Sequence, residues 1–142
     1  MRVAREGAAQ RWRGGEPGMA QILVIEDEKT VRALMRAVLA RGGHEVIVID
    51  NGIDGSDIAA MHRVDLVICD LMMEALDGAE TIRRIRAAQP DAPVLIVSGL
   101  VPTDESGAAA MAAKLGADRA IAKPFRPRDF QWGREVQKRH IA

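Results

Sequence analysis

From Gln21 onward the chain alternates between short unbroken apolar runs and longer stretches in which apolar residues recur every three or four positions. The runs "QILVI" from Gln21, "EVIVI" from Glu45, "DLVIC" from Asp65, "PVLIVS" from Pro93 and "RAIA" from Arg119 are short, mostly rich in β-branched residues, and predict five strands. Between them, Val31, Leu34, Met35, Val38 and Leu39 predict a helix that stops at Gly42-Gly43. A weaker helix follows around Ile53 to His62, with Gly52 and Gly55 counting against it. Ala79, Ile82 and Ile85 mark a third helix closed by Pro90, and Ala108, Met111, Ala112 and Leu115 a fourth ending at Gly116. Pro127 to about Lys138 predicts a last helix, weakened by Gly133. Strands that stay apolar along their length are buried on both faces, so the pattern predicts an α/β fold with a parallel sheet covered on both sides.

At 142 residues, with 48% apolar and 28% charged positions, the composition is that of one globular domain with a real core. No stretch approaches the roughly 18 apolar residues of a membrane span. Net charge is zero, so neither nucleic acid nor an anionic membrane is implied as a partner. A single cysteine, Cys69, excludes an internal disulfide and a cysteine-based zinc site, and without an apolar leader the expected compartment is the cytoplasm. Residues 1–20 break the pattern: four arginines against two glutamates, with Gly14, Gly15, Pro17 and Gly18, predict a flexible tail. The folded domain is expected over 21–139, and Met19, directly before the first strand, is a candidate translation start.

In open parallel sheets, ligands bind at the carboxyl ends of the strands where the strand order reverses. Reading those ends alone gives Glu26 and Asp27 after the first strand, Asp70 after the third, Ser98 after the fourth and Lys123 after the fifth. Three carboxylates packed together repel, so they hold protons or gather a cation. A hard divalent ion with oxygen ligands meets that need. Magnesium fits because it takes one or two carboxylates, keeps several waters and leaves positions for phosphate oxygens. The Ser98 hydroxyl and the Lys123 ammonium both suit a phosphoryl group.

At these residues the chain resembles the receiver domain of the two-component response-regulator family. The motifs are the acidic pair in "ILVIEDE", the aspartate in "DLVICDLMMEALDG" with Asp77-Gly78 downstream, the hydroxyl in "VLIVSG" and the lysine in "AKPF". The resemblance runs from about Gln21 to Phe130. It implies a flavodoxin-like, three-layer, doubly wound (βα)5 fold whose five-stranded parallel sheet has the order 2-1-3-4-5. It also implies an aspartate phosphorylated by a sensor histidine kinase or a histidine phosphotransfer protein. By match of position, Asp70 is then the phosphoacceptor, and Glu26, Asp27, Asp70 and the backbone carbonyl of Met72 hold Mg2+. Ser98 and Lys123 contact the phosphoryl oxygens. Magnesium and Lys123 neutralise charge while Asp70 attacks in line. Such a protein is not an enzyme with a separate substrate: it phosphorylates itself and slowly loses the phosphate to water. No DNA-binding domain fits after Phe125. The expectation is therefore a stand-alone receiver, monomer or weak homodimer, that signals by docking to an unknown downstream protein or by phosphorelay.

Plainer roles stand beside these. Asp77 is expected to fix its loop with Gly78, Cys69 to pack inside a strand, and His44, His62 and His140 to lie on the surface. The chain also leaves the family pattern. Glu74 stands where receivers often have proline, and Ala120 where many have an aromatic residue that swings inward on phosphorylation; there is no tyrosine. Phe125, or loop and helix movement, is then left to carry output. The segment "SGLVPTDESG" is longer than usual, and Gly99, Pro102 and Gly107 are expected to keep it from being fully helical. These departures motivate an alternative, a docking module that works without phosphate. A small α/β enzyme or nucleotide binder is a further class, disfavoured because neither G-x-G-x-x-G nor a P-loop follows the first strand.

Overall fold

A computed structural model describes residues 20–73 and 76–131. In chain order the elements are β1 (Gln21–Ile25), α1 (Lys29–Arg41), β2 (Glu45–Ile49), α2 (Gly52–Met61), β3 (Leu66–Cys69), α3 (Gly78–Ala88), β4 (Val94–Ser98), α4 (Glu105–Leu115), β5 (Arg119–Ala122) and a 3-10 turn (Pro127–Gln131). All strand pairs are parallel, and the order is β2-β1-β3-β4-β5. The chain moves outward from β1 to β2, then crosses back to β3. The strand order therefore reverses between β1 and β3, the place where such sheets open a crevice.

Alternate residues of each strand feed two cores. Ile22, Val24, Leu66, Ile68, Leu95 and Val97 face Met35 and Leu39 of α1, with Phe125 packed at the margin. Leu23, Ile25, Val67, Cys69 and Ile96 face the other way, onto Ala59 of α2, Ile82 and Ile85 of α3 and Ala112 of α4. Central strands covered on both sides cannot alternate apolar with polar, which is why β1, β3 and β4 are buried throughout. The three layers read from the sequence are all present.

Some boundaries differ from the sequence reading. Ala20, assigned to the tail, is buried, and its carbonyl accepts from Glu45 N–H at 2.8 Å. The second helix forms despite its glycines, and because of them. A Cβ on Gly52 would lie 2.1 Å from Thr81 Oγ1 of α3, and one on Gly55 2.4 Å from Ile25 Cδ1. Side chains at either position would push α2 off the sheet. The described residues hold four α-helices rather than five. Pro127 begins a 3-10 turn, and the rest of the expected last helix lies outside the described residues, as do Glu74, Gly133 and His140. His44 and His62 are half-buried, not on the open surface.

Candidate functional site

β1 runs into Glu26, whose N–H still pairs with Ile49 O at 3.0 Å before the chain turns through Asp27 and Glu28 into α1. β3 runs into Asp70, whose N–H donates to Ile25 O at 3.0 Å and so sits beside the end of β1. β5 delivers Lys123, whose N–H donates to Ser98 O at 3.1 Å, and the Lys123–Pro124 peptide is cis. Parallel pairing thus gathers the ends on one edge. One carboxylate oxygen from each of Glu26, Asp27 and Asp70 lies within 4.8 Å of the other two. Glu26 and Asp70 are buried and Asp27 is exposed, so the cluster has a dry floor and a wet mouth.

Lys123 supplies the facing positive charge. Its Nζ is 2.9 Å from Glu26 Oε1, 3.2 Å from Asp70 Oδ2 and 3.4 Å from Glu28 Oε1. The contact to Glu26 is a close ion pair without hydrogen-bond geometry. Burial pushes the Glu26 carboxyl up to about 7; Lys123 and the Glu28 N–H oppose this, and the nearby Asp70 charge adds to it. Burial alone would lower Lys123, but Glu26 and Asp70 outweigh it and hold the ammonium above its ordinary value. One lysine thus serves a cluster of three acids. The surplus of negative charge, oxygen donors only and one open side fit a hard divalent cation such as magnesium.

Every site residue predicted from the sequence is on this edge. Ser98 is fully buried, and its hydroxyl accepts from Leu100 N–H at 3.2 Å. Met72 N–H donates to Asp70 Oδ1 at 3.1 Å, which sets the Met72 backbone beside the carboxylate, while the residue as a whole is 56% exposed. Asp77 caps α3 by accepting from Glu80 N–H at 2.9 Å. Gly78 is needed because a Cβ there would lie 2.6 Å from Asp70 O. Burial pushes the Cys69 thiol far up, aided by the Asp70 and Glu26 charges, and its S–H donates to Asp70 O at 3.2 Å. Little thiolate forms, as suits a packing residue.

Two residues escaped the sequence reading. Glu28 reaches Lys123 from the exposed rim. Arg32, one turn into α1, points its guanidinium back and donates from Nη1 to Glu26 O at 3.0 Å and Asp27 O at 2.9 Å. The signal for Arg32 was its spacing, since helical side chains lean toward the preceding turn.

Known proteins share this arrangement of sequence and fold. A family model, "Response regulator receiver domain", matches residues 22–131. Response regulator MprA of Mycobacterium sp. (strain KMS) is 35% identical over 105 residues, covering 74% of this chain and 44% of that protein. The chain therefore spans less than half the length of the curated relative it matches. A response regulator receiver domain protein from Clostridium thermocellum superposes with a TM-score of 0.72 at 29% identity, covering 84% of this chain and 94% of the other. The receiver domain of sensor histidine kinase PA1611 from Pseudomonas aeruginosa, solved with a magnesium ion in its active site cleft, shares the fold. Its TM-score is 0.72 at 24% identity, covering 87% and 98% of the two chains. With the family model spanning the whole sheet and its edge of acids, the chain belongs to the response regulator receiver domain family.

Proposed function

We propose that Asp70 accepts a phosphoryl group from a phosphohistidine on a sensor kinase or phosphotransfer protein, and that the resulting acyl phosphate changes what the domain docks to. The observation that carries this reading is Lys123 Nζ, set between buried Glu26 and Asp70 at the margin of the three-acid cluster. An Asp70 oxygen attacks phosphorus in line as the P–N bond to the donor imidazole breaks, and the bonding pair leaves with the ring nitrogen. Lys123 turns its N–H donors from the carboxylate to a phosphoryl oxygen, and the Ser98 hydroxyl donates to another.

Glu26, Asp27, Asp70 and the Met72 carbonyl would hold magnesium. When bound, the ion supplies positive charge that offsets both the acids and the phosphoryl oxygens. The likeness to the magnesium-bound Pseudomonas receiver and the surplus of carboxylates support this assignment. Water later cleaves the acyl phosphate and restores Asp70. The domain acts on itself and turns over no separate substrate.

Incubation with magnesium and acetyl phosphate is expected to add the mass of one phosphoryl group to the parent and none to Asp70→Asn. An unmodified parent, with small donors and histidine kinases alike, would overturn the reading.

One observation favours a second reading, docking without phosphate. Ala120 is buried where many receivers carry an aromatic switch, and it borders a cavity of about 440 Å³ together with Pro102, Ala108, Ala122 and Pro124. Under that reading Asp70→Asn binds its downstream partner as well as the parent does, whether or not phosphodonor is present.

A further inference from the structure

α1 differs from the other three described α-helices at its N-terminus. α2, α3 and α4 begin with side-chain caps: Asn51 accepts from Asp54 N–H, Asp77 from Glu80 N–H and Asp104 from Gly107 N–H, at 2.8, 2.9 and 2.7 Å. The capping position of α1 is Glu28, and it makes no side-chain cap. Its carboxylate turns to Lys123 instead, while its N–H donates to Glu26 Oε2 at 3.1 Å. The turn that carries two of the clustered acids therefore lacks the usual side-chain anchor.

Arg32 supplies an anchor of another kind. Its Nη1 bridges the carbonyls of Glu26 and Asp27, and its own N–H donates to Glu28 O at 2.9 Å as an ordinary helical bond. The bridge holds the turn by its backbone carbonyls and itself occupies none of the carboxylate oxygens of Glu26, Asp27 and Glu28. A carboxylate cap would have taken one of them out of use.

We propose that Arg32 is a positioning residue for the acidic cation site, fixing the β1–α1 turn so that Glu26 and Asp27 converge on Asp70. The proposal rests on the magnesium reading above and adds a sign to it. A positive guanidinium beside a cation site repels the ion, so if Arg32 acted by charge alone its removal would tighten magnesium binding. If it acts by position, its removal loosens the turn and weakens binding.

The test is calorimetric titration of the full chain with magnesium chloride. Arg32→Gln, which drops the charge and the reach to both carbonyls, is expected to weaken magnesium affinity about tenfold, with Arg32→Lys also weaker than the parent although it keeps the charge. With acetyl phosphate, the magnesium concentration for half-maximal phosphorylation should rise while the rate at saturating magnesium stays near that of the parent. Unchanged or tighter magnesium binding by Arg32→Gln would overturn the proposal. If circular dichroism shows Arg32→Gln unfolded, Arg32→Lys decides by the same criterion. A parent that binds no magnesium overturns the metal reading and this inference together, whereas a parent that binds while Arg32→Gln binds equally overturns this inference alone.

Discussion

Lys123 Nζ lies 2.9 Å from Glu26 Oε1, and the Glu26 side chain in that pair is wholly buried. Without the lysine, Glu26 and Asp70 would face each other as two desolvated acids. Lys123→Ala is therefore expected to cost about 3 kcal/mol in magnesium-free buffer near neutral pH. Magnesium should return part of that loss, because the cation then offsets the same charges. Denaturant unfolding with and without the ion checks both; a loss within measurement error of zero would contradict the pairing.

The Glu26 carboxyl gives the apo protein a pH signature. It titrates at about 7 when folded, against an ordinary value of 4.5, so between these values the folded state holds a proton that the unfolded chain releases. Its contribution to stability is greatest below the unfolded value, falls as pH rises, and is lost above the folded value. The span corresponds to on the order of 3 kcal/mol. Glu26→Gln should flatten this fall when unfolding free energies at about pH 5 and about pH 8 are compared without divalent ions. Equal slopes in parent and variant would count against the buried carboxyl as the cause.

Asp77 caps α3 and is expected to act on stability rather than on chemistry. Removing its cap in Asp77→Ala should cost about 1 kcal/mol and lower Tm by about 3–6 °C. Phosphorylation by acetyl phosphate should persist in the variant. If phosphorylation disappears while the fold stays intact, Asp77 belongs to the reacting site and not only to α3.

Met72 follows Asp70 by two residues, with its N–H donating to Asp70 Oδ1 and the residue 56% exposed. If the thioether covers the acyl phosphate once it forms, it obstructs the approach of hydrolytic water. Met72→Asn should speed phosphate loss by about tenfold, a change of about 1.4 kcal/mol in the barrier. Release of phosphate followed after removal of donor measures it, and an unchanged rate removes Met72 from this role.

The sheet was legible in the sequence because strands buried on both faces leave continuous apolar runs, and the site was legible because parallel strands deliver their last residues to one edge. Glu26, Asp70, Ser98 and Lys123 could each be found by reading strand ends alone. Arg32 could not, since its role depends on a side chain reaching back past the capping position to two carbonyls. Gly52 and Gly55 misled for a related reason. Their helix-weakening effect is local, while their fit against Thr81 and Ile25 depends on how α2 packs. Local propensity yields to tertiary packing at Gly52 and Gly55. Gly107 is constrained locally: it sits in the first turn of α4, where a Cβ would lie 2.9 Å from the Asp104 cap three residues earlier.

A phosphoryl group carried on Asp70, as proposed above, is an acyl phosphate. Borohydride reduces an acyl phosphate to an alcohol, so treatment after incubation with magnesium and acetyl phosphate marks the modified carboxyl for peptide mass mapping. Homoserine is expected at position 70, formed only when magnesium and phosphodonor are both present. Reduction at Glu26, Asp27 or Glu28 instead, or at no carboxyl in a sample that has gained a phosphoryl group, would contradict it.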